Sequence, residues 1–285
     1  MANLKDIRNR IASVSSTMQI TSAMKMVSAA KLKKAQDAIT AMRPYANKLT
    51  DLLQNLSATM GADNGSQFTQ QRQVKKVLVV AITSNRGLCG AFNANIIKAA
   101  SASKENRQKG VQTDYMAIGK KANDAFSKNG NVVANHSAIY EDLTFANVAE
   151  VADDLMGRFS KGDYDKIELV YNKFKNAATQ EVMVEDYLPL IPVEGGSVEG
   201  DYLFEPSKTE IVSQLIPKAL KTQLYKAIRD SFASEHGARM TAMHKATDNA
   251  TELRDQLKLT YNKARQAAIT NEILEIVGGA EALNG

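Results

Sequence analysis

The sequence contains few of the residues from which catalytic and metal sites are usually built. Its one cysteine, Cys89, excludes an internal disulfide bond. Its three histidines, His136, His236 and His244, are too few and too scattered for a metal site with the usual ligand spacing. No Ser/His/Asp or Cys/His arrangement has support in the sequence. We therefore expect no catalysis, no metal and no other cofactor.

Tryptophan and long apolar runs are also absent, and proline occurs only five times. No apolar stretch reaches the roughly 18 residues that a bilayer span requires. Hydrophobic residues make up 44% of the 285 residues and charged residues 24%, which is ordinary for a globular protein of about one to two domains. The composition predicts a soluble, cytoplasmic protein that is rich in helix.

The positive charge lies almost entirely in the N-terminal segment. Residues 1–48 hold nine Lys and Arg and two acidic residues, a net charge of +7, whereas the whole chain has a net charge of +5. Acidic residues that would pair with these bases along a helix are nearly absent. Nucleic acid, anionic lipid or an acidic protein could each be the counterpart. We favour an acidic protein, because no DNA-recognition motif or interleaved aromatic residues accompany the basic face.

Apolar spacing predicts that the N-terminal segment is one strand of a coiled coil. Alternating steps of three and four residues from Leu4 to Leu56 meet an apolar residue at thirteen of sixteen positions. The exceptions are the consecutive steps Thr21, Lys25 and Ser28, which predict that the apolar seam fails there. The neighbouring apolar residues are then expected on faces that a two-stranded coil leaves open: Ile20, Ala23, Met24, Met26 and Val27.

The C-terminal segment is predicted to be the second strand of this coil. A capping box of the form S-x-x-E at 207–210 begins a helix that only Pro217 and Gly237 interrupt before Gly278-Gly279. The two terminal helices must pair antiparallel.

The register of that pair can also be predicted. We place Leu4 opposite about residue 262 and Met24 near residue 242. Met24 would then lie within a turn of Arg239.

The region between the helices has the pattern of a small α/β domain. Because short strands alternate with short helices, the sheet should be mostly parallel with helices on its faces. Strands are predicted at 74–83, 113–119, 166–174 and 180–192, and helices near 91–105 and 120–128. The predicted fold class is α/β plus a long antiparallel α-helical coiled coil, with a central Rossmann-like sheet domain between the terminal helices. The predicted segments are 1–60 (N-terminal helix), 61–73 (linker), 74–206 (α/β domain) and 207–285 (C-terminal helix).

The segment 264–277 is apolar around most of its circumference. At about 100° per residue, its isoleucines, Leu274, Val277 and three alanines do not form one stripe. The N-terminal helix is predicted to have about 55 residues and the C-terminal helix about 70 to 75. The N-terminal helix is therefore too short to cover this stretch. A dimeric coil would keep a two-sided stripe, whereas a helix apolar on nearly every side must be enclosed. We therefore predict that a ring of other subunits surrounds it.

The stretch TSNRGLCGAFN at 83–93 follows a strand and opens a helix, as phosphate-binding loops do. Its glycines, Gly87 and Gly90, match neither G-x-G-x-x-G nor G-x-x-x-x-G-K-[ST]. A tight strand-to-helix turn is the better interpretation, with Arg86 and Cys89 in the turn and in the packing beneath it. A nucleotide-binding module on a coiled-coil handle is the alternative, and a DNA-binding coiled coil is a third.

Six stretches of the chain, in their order, resemble the γ subunit of F-type ATP synthases in a bacterial form. The resemblance runs essentially from end to end, and the last stretch is the most specific. The stretches are IRNRIASVSSTMQITSAMKMVSAAKLKKAQ (7–36), SNRGLCGAFN (84–93), YNKF (171–174), DYLFEPS (201–207), ARMTAMHKATDNA (238–250) and YNKARQAAITNEILEIVGGAEAL (261–283).

This resemblance implies a non-catalytic rotor of a central stalk. In that family the terminal helices form a shaft inside a hexamer of three α and three β subunits, and the ε subunit and the ring of c subunits bind near the foot. The rotor transmits torque between the ion-driven c ring and the hexamer, which couples transmembrane proton flow to ATP synthesis or hydrolysis. The implied location is peripheral, at the cytoplasmic face of the bacterial plasma (inner) membrane, with membrane contact only through the c ring and without nucleic acid.

The resemblance also implies roles for particular residues. A β-subunit loop rich in Asp and Glu would contact the positions matched by Met24, Lys25, Arg239, Arg265, Gln266 and Thr270. The tip would turn in an apolar sleeve, with Ile269, Ile273, Ile276 and Val277 as a bearing. Tyr202 would belong to the foot on the c ring. Chloroplast members carry a regulatory cysteine pair, and this chain has only Cys89, so redox switching by that route is not expected.

Overall fold

A computed structural model describes residues 4–60, 67–105, 110–190 and 208–284 of the chain. Within these ranges there are five α-helices, five strands and one 3₁₀ turn, Ser137–Tyr140. The helices are α1 (Leu4–Met60), α2 (Phe92–Glu105), α3 (Lys120–Asn129), α4 (Phe145–Ser160) and α5 (Lys208–Asn284). The strands are β1 (Lys76–Ile82), β2 (Gln112–Ile118), β3 (Asn131–Asn135), β4 (Lys166–Phe174) and β5 (Gln180–Leu188). Among the described residues, none of the helices is both long and apolar enough to cross a bilayer.

The strands form one sheet in the order β3-β2-β1-β4-β5. The first four are parallel to their neighbours, and β5 pairs antiparallel with β4. The predicted fold class is thus confirmed, with an α/β sheet between two long terminal helices in the chain. The four predicted strands are present, and β3 is an additional strand whose continuous apolar run has only three residues, all half-buried.

The sheet is covered on both faces, which explains the apolar run of β1. Every residue of β1 after Lys76 is buried. Side chains alternate between the faces of a strand, so Leu78, Val80 and Ile82 pack with residues of α4 and α5, while Val77, Val79 and Ala81 pack with residues of α2 and α3. Full burial of each large apolar side chain contributes about 1.5–3 kcal/mol to stability.

The chain divides into two compact units, which we call the coil unit (Met1–Ser28 with Met240–Gly285) and the sheet unit (Ala29–Arg239). In the sheet unit, Met42 of the predicted seam of α1 is half-buried, and five other seam positions are buried. They are 2–5% exposed: Leu32, Ala35, Ile39, Ala46 and Leu49. The three-four spacing therefore identified the buried side of this part of α1 correctly.

In the coil unit, α1 and α5 pair antiparallel in a register that differs from the predicted one. Arg8 Nη2 donates to Tyr261 Oη at 2.8 Å, and Lys25 Nζ lies 3.3 Å from His244 Nδ1. These pairs place Met24 opposite about residue 245, so the predicted position near residue 242 is wrong by about three residues, nearly one helical turn. Apolar spacing recurs at every turn and therefore cannot distinguish registers one turn apart.

The seam of the coil does not fail at its polar positions, contrary to the prediction. Thr21 and Ser28 are 8% and 2% exposed, and Lys25 is half-buried. Thr21 Oγ1 lies 2.8 Å from Thr247 Oγ1, and Ser28 Oγ donates to the Met24 carbonyl at 2.7 Å. The seam continues through these residues because each buried polar group finds a partner.

Several apolar residues of α1 lie on open faces of the coil, as predicted. Ile20, Met26 and Val27 are 57–65% exposed. Ala23 is also exposed, whereas Met24 is half-buried.

Both long helices continue through residues that usually interrupt helices. Helix α1 passes Pro44, and α5 passes Pro217, Gly237 and the Gly278-Gly279 pair to end at Asn284. Pro217 and Gly237, which were predicted to interrupt the C-terminal helix, therefore do not end it. A glycine in a helix costs only about 1 kcal/mol, so it weakens a helix without ending it. The four predicted segment boundaries stay a prediction.

The threonine pair in the seam should be energetically coupled. Each hydroxyl also lies within hydrogen-bond distance of a carbonyl of its own helix, at Met18 and Met243, and since each has one proton, one hydroxyl donates across the seam while the other donates to its own helix. Each single valine variant, Thr21→Val or Thr247→Val, should therefore cost at most about 1 kcal/mol, while the double variant places two apolar groups in the seam and recovers that loss.

A double-mutant cycle on thermal unfolding of the full chain should show a coupling energy of about 0.5–1.5 kcal/mol. The control is Thr17→Val combined with Thr247→Val, since Thr17 is exposed and bonds only to its own helix. Additive behaviour of the Thr21 cycle would contradict the pairing.

Candidate functional site

The predicted β-subunit contacts in the coil unit include exposed and engaged side chains. Arg265, Gln266 and Thr270 are exposed on α5. Thr270 Oγ1 donates to the Gln266 carbonyl of its own helix at 3.0 Å. Met24 and Lys25 are half-buried, and the Lys25 ammonium is held against the His244 ring across the coil. Arg265, Gln266 and Thr270 are therefore exposed at the surface of α5. The contact with His244 fixes the orientation of the Lys25 side chain.

The apolar residues near the end of α5 are exposed, as the uncovered length of the helix predicts. Ile269, Ile273, Ile276 and Val277 are 47%, 55%, 71% and 51% exposed. Ala268 is half-buried, and every residue from 269 to 280 is exposed. Contiguous exposed apolar surface on a protein marks an interaction site. Tyr202, the predicted foot residue, lies outside the described residues.

A second candidate site lies in the sheet unit, where α5 crosses the carboxyl ends of β1 and β4. In doubly wound sheets, ligands bind in the crevice where the strand order reverses, which here is between β1 and β4. Ser231 Oγ donates to the Ile82 carbonyl at 3.4 Å, and Ser234 Oγ donates to the Asn172 carbonyl at 3.0 Å. Helix α5 therefore occupies the place that a ligand of this fold would take.

Arg239 joins α5 to the loop that follows β1. Its side chain is buried, Nη2 donates to the carbonyls of Arg86 and Gly87 at 3.2 Å each, and Nη1 donates to Glu235 Oε1 at 2.6 Å. Burial raises the pKa of Glu235, and the charge of Arg239 opposes that rise. The guanidinium is thus engaged within the chain, and its contact with a β subunit stays a prediction.

The loop at 83–93 forms a tight turn between β1 and α2, as expected. Ser84 Oγ donates to the Arg86 carbonyl at 2.6 Å and accepts from Asn93 Nδ2 at 2.8 Å. Cys89 is packed beneath this network at 2% exposure, and burial raises the pKa of its thiol. The side chain of Arg86 is exposed, so only its carbonyl takes part in the turn. Among the described residues, no group of three or more His, Cys, Asp or Glu could hold a metal ion.

His236 lies on α5, three residues before Arg239, and is buried. It is 4% exposed, and its Nε2 has no hydrogen-bond partner among the described residues. Its ring contacts that of Phe232 edge to face at 4.5 Å, and Nδ1 lies 3.5 Å from Arg239 Nη1. Burial and the charges of Arg239 and Lys31 lower the pKa of His236 to about 3. The imidazole is therefore neutral near pH 7.

Sequence reasoning missed this face of α5. Ser231, Ser234 and Gly237 recur at steps of three, which places small side chains on one side of the helix. Gly237 comes so close to the loop after β4 that an added Cβ would lie 3.1 Å from the Ala177 carbonyl oxygen. The recurrence of small residues was the signal that could have revealed this close approach.

Acidification should destabilise the chain through His236. The unfolded state takes up a proton near pH 6.5, but the folded state resists protonation down to about pH 3. In that window the unfolded state binds more protons, so stability falls as pH falls, by up to about 1.4 kcal/mol per pH unit. Burial raises the pKa of Asp230 and Glu235, which acts in the opposite direction.

The contribution of His236 can be isolated by comparing variants. His236→Gln should lose part of the decrease in apparent Tm between pH 6.5 and pH 4.5. His244→Gln, at an exposed position of the same helix, should keep it. Equal pH dependence of His236→Gln and the wild type would refute the assignment.

Side-chain volume at Gly237 should be limited by the Ala177 loop. Gly237→Val forces methyl groups into that loop and should lower stability by about 1–3 kcal/mol. Gly237→Ala should be nearly neutral, because helix propensity gains about 1 kcal/mol while one contact tightens.

The control for this substitution is Gly157→Val in α4, where an added Cβ meets nothing within 4 Å. Thermal unfolding of the full chain measures both variants. A loss at position 237 no larger than the loss at position 157 would count against the close approach.

Comparison with known proteins finds matches along the whole chain. A family model described as ATP synthase matches residues 3–283. The chain is 73% identical to the ATP synthase gamma chain of Flavobacterium johnsoniae and 52% identical to that of Cytophaga hutchinsonii, with 100% of both chains covered in each case. Its fold is similar to a chain of a Euglena gracilis mitochondrial ATP synthase at 23% identity and a TM-score of 0.70, covering 98% of this chain and 94% of the other.

Proposed function

This chain belongs to the ATP synthase gamma-chain family, and we propose on that premise that it works as the rotor of the central stalk. It is a non-catalytic subunit that transmits torque between the ion-driven c ring and the catalytic hexamer of α and β subunits. Transmembrane proton flow is thereby coupled to ATP synthesis or hydrolysis. Its partners are the α, β and ε subunits and the c ring.

The exposed apolar end of α5 is the observation that carries this proposal. Ile276, at 71% exposure, and its apolar neighbours would be costly to leave in water. A ring of subunits around this segment removes the apolar surface from water. Because the hydrophobic effect is non-directional, such a sleeve shields the helix at every angle of rotation. An apolar bearing made of Ile269, Ile273, Ile276 and Val277 follows from this arrangement.

Coupling requires a polar, asymmetric surface as well as a bearing. A rotor biases a β-subunit site only by interacting unequally with the states of that site. The basic N-terminal part of α1, with Met24 and Lys25, and the exposed Arg265, Gln266 and Thr270 form the surface that we assign to this contact. We also assign Arg239 to it, with the loop at 84–90 to which it is bonded.

The filled crevice at the strand ends argues against a nucleotide-binding role for the sheet unit. Ser231, Ser234 and Arg239 already use the carbonyls that border this crevice. We therefore assign to the sheet unit the role of holding α5 in a fixed position.

The chain is a peripheral, membrane-associated subunit, held at the membrane through its partners. We place it at the cytoplasmic face of the bacterial inner membrane. Tyr202 is assigned to the foot on the c ring, near the ε subunit.

A single carboxylate in the bearing should uncouple the enzyme. Ile276→Asp places a charge inside an apolar sleeve, and the cost of burying an unpaired carboxylate exceeds the 1.4 kcal/mol that corresponds to about a tenfold effect. ATP synthesis and ATP-driven proton pumping by membrane vesicles should therefore fall about tenfold or more, or assembly should fail.

The matched control is Asn262→Asp, which adds the same charge at an exposed polar position of the same helix, outside the enclosed segment 264–277. This variant should retain most of the activity. Normal ATP synthesis by Ile276→Asp would rule out the bearing.

A further inference from the structure

Five contacts join one face of α5 to the strand ends and loops of the sheet unit, and we call them the strand-end clamp. They are the bonds of Ser231 to Ile82, of Ser234 to Asn172 and of Arg239 to Arg86 and Gly87, and the close approach of Gly237 to Ala177. We propose that this clamp is the joint through which torque passes between the sheet and α5, with Ser234 and Glu235 as positioning residues. The inference rests on the proposed function as a rotor.

The acceptors in the clamp are all main-chain carbonyls. Ile82 and Asn172 belong to β1 and β4 and pair with Ile118 of β2 and Val182 of β5, so the sheet fixes the positions of their carbonyls. A side chain that bonds to such a carbonyl connects α5 to the strand itself, without a rotatable group on the sheet side. Ser231 and Ser234 are 0% exposed, so water does not compete for these bonds.

Glu235 acts on the clamp through Arg239. Both residues are 7% exposed, and Nη1 and Oε1 are 2.6 Å apart. Because the guanidinium is planar, fixing one of its nitrogens also fixes the direction in which the other donates. Glu235 therefore aims the second nitrogen of Arg239 at the carbonyls of Arg86 and Gly87.

The apolar contacts of α5 cannot replace these bonds. Leu220, Leu224 and Ile228 bury the helix against the sheet, but such contacts are non-directional and resist separation more than sliding or rotation. Directional bonds to the sheet unit are also present earlier in α5, where Tyr187 Oη donates to the Leu220 carbonyl at 3.1 Å and the half-buried Gln223 donates to Glu185 Oε1 at 2.7 Å. The bonds of Ser231 and Ser234 differ from these because fully buried side chains of α5 donate to carbonyls of the parallel strands near their carboxyl ends. Beyond Arg239 the same helix continues without interruption to Asn284, so a torque held at the clamp is passed along α5.

Torsional stiffness is the property that a merely structural role would not change. It can be measured in the assembled complex by fixing the hexamer to a surface and attaching a probe to the sheet unit through Asp124→Cys. Asp124 is exposed on α3, whereas the native Cys89 is buried. The angular variance of the probe, recorded while rotation is stalled without ATP, varies inversely with the stiffness of the connection.

The double variant Ser234→Ala with Glu235→Ala should raise this variance. Contacts that share no partner act about additively, so loss of the Ser234 bond and release of Arg239 should increase the variance about 1.5-fold or more. Glu235→Gln keeps an acceptor for Arg239 and should restore most of the stiffness relative to Glu235→Ala. The matched control is Thr222→Val, because the buried hydroxyl of Thr222 bonds only within α5, to the Lys218 carbonyl at 2.8 Å.

The possible outcomes distinguish a failure of the proposed clamp from a failure of the proposed rotor function. Wild-type variance in a double variant that still rotates overturns the clamp and leaves the rotor intact. An equal rise in Thr222→Val overturns it too, since any buried hydroxyl would then do the same. If the wild-type complex shows no ATP-driven rotation, the proposed function itself fails. Should the double variant not assemble, Ser234→Ala alone must show a smaller rise, and its absence overturns the clamp.

Discussion

The packing of α5 across the carboxyl ends of β1 and β4 is the constraint on which the rest of the sheet unit depends. Strand ends of a doubly wound sheet present carbonyls that need hydrogen-bond partners, and in many proteins of this fold a bound ligand lies there. Here Ser231, Ser234 and Arg239 supply the partners from the chain itself. The domain thereby loses a ligand site and gains a rigid attachment for a helix, which is how a fold common among nucleotide-binding proteins can serve a non-catalytic subunit.

Polar pairs have a comparable part in the coil unit. Thr21 with Thr247, and Lys25 with His244, occupy positions where apolar residues would bury more surface. A shift of the helices by one turn would lose the bond between the two hydroxyls and the contact of Lys25 with His244, so these residues specify the register even though they add little stability. Because polar residues occupy these seam positions, apolar side chains such as Ile20 and Val27 lie on the outer faces of the coil, where other subunits can contact them.

Local patterns predicted the parts of the fold that arise from local causes. The apolar run of β1 and the seam positions Leu32 and Ile39 were identified correctly, because burial on two faces or on one stripe leaves a regular pattern in neighbouring residues. Strand β3 was missed, because its apolar run of three half-buried residues is shorter than the roughly four to eight that typically indicate a strand. The predicted interruption at Gly237 is absent, because low helix propensity weakens a helix but does not terminate it.

The residue order alone was enough to identify the family, the two terminal helices, the α/β class and an uncovered apolar segment at the end of α5. Each of these follows from the kinds of residues that stand near one another in the chain. The coil register, the place of α5 over the sheet and the engagement of Arg239 emerged only in the folded chain. The bonds of Ser231 and Ser234 span 149 and 62 positions, and their acceptors are main-chain carbonyls, which are the same in every residue and so leave no trace in the sequence.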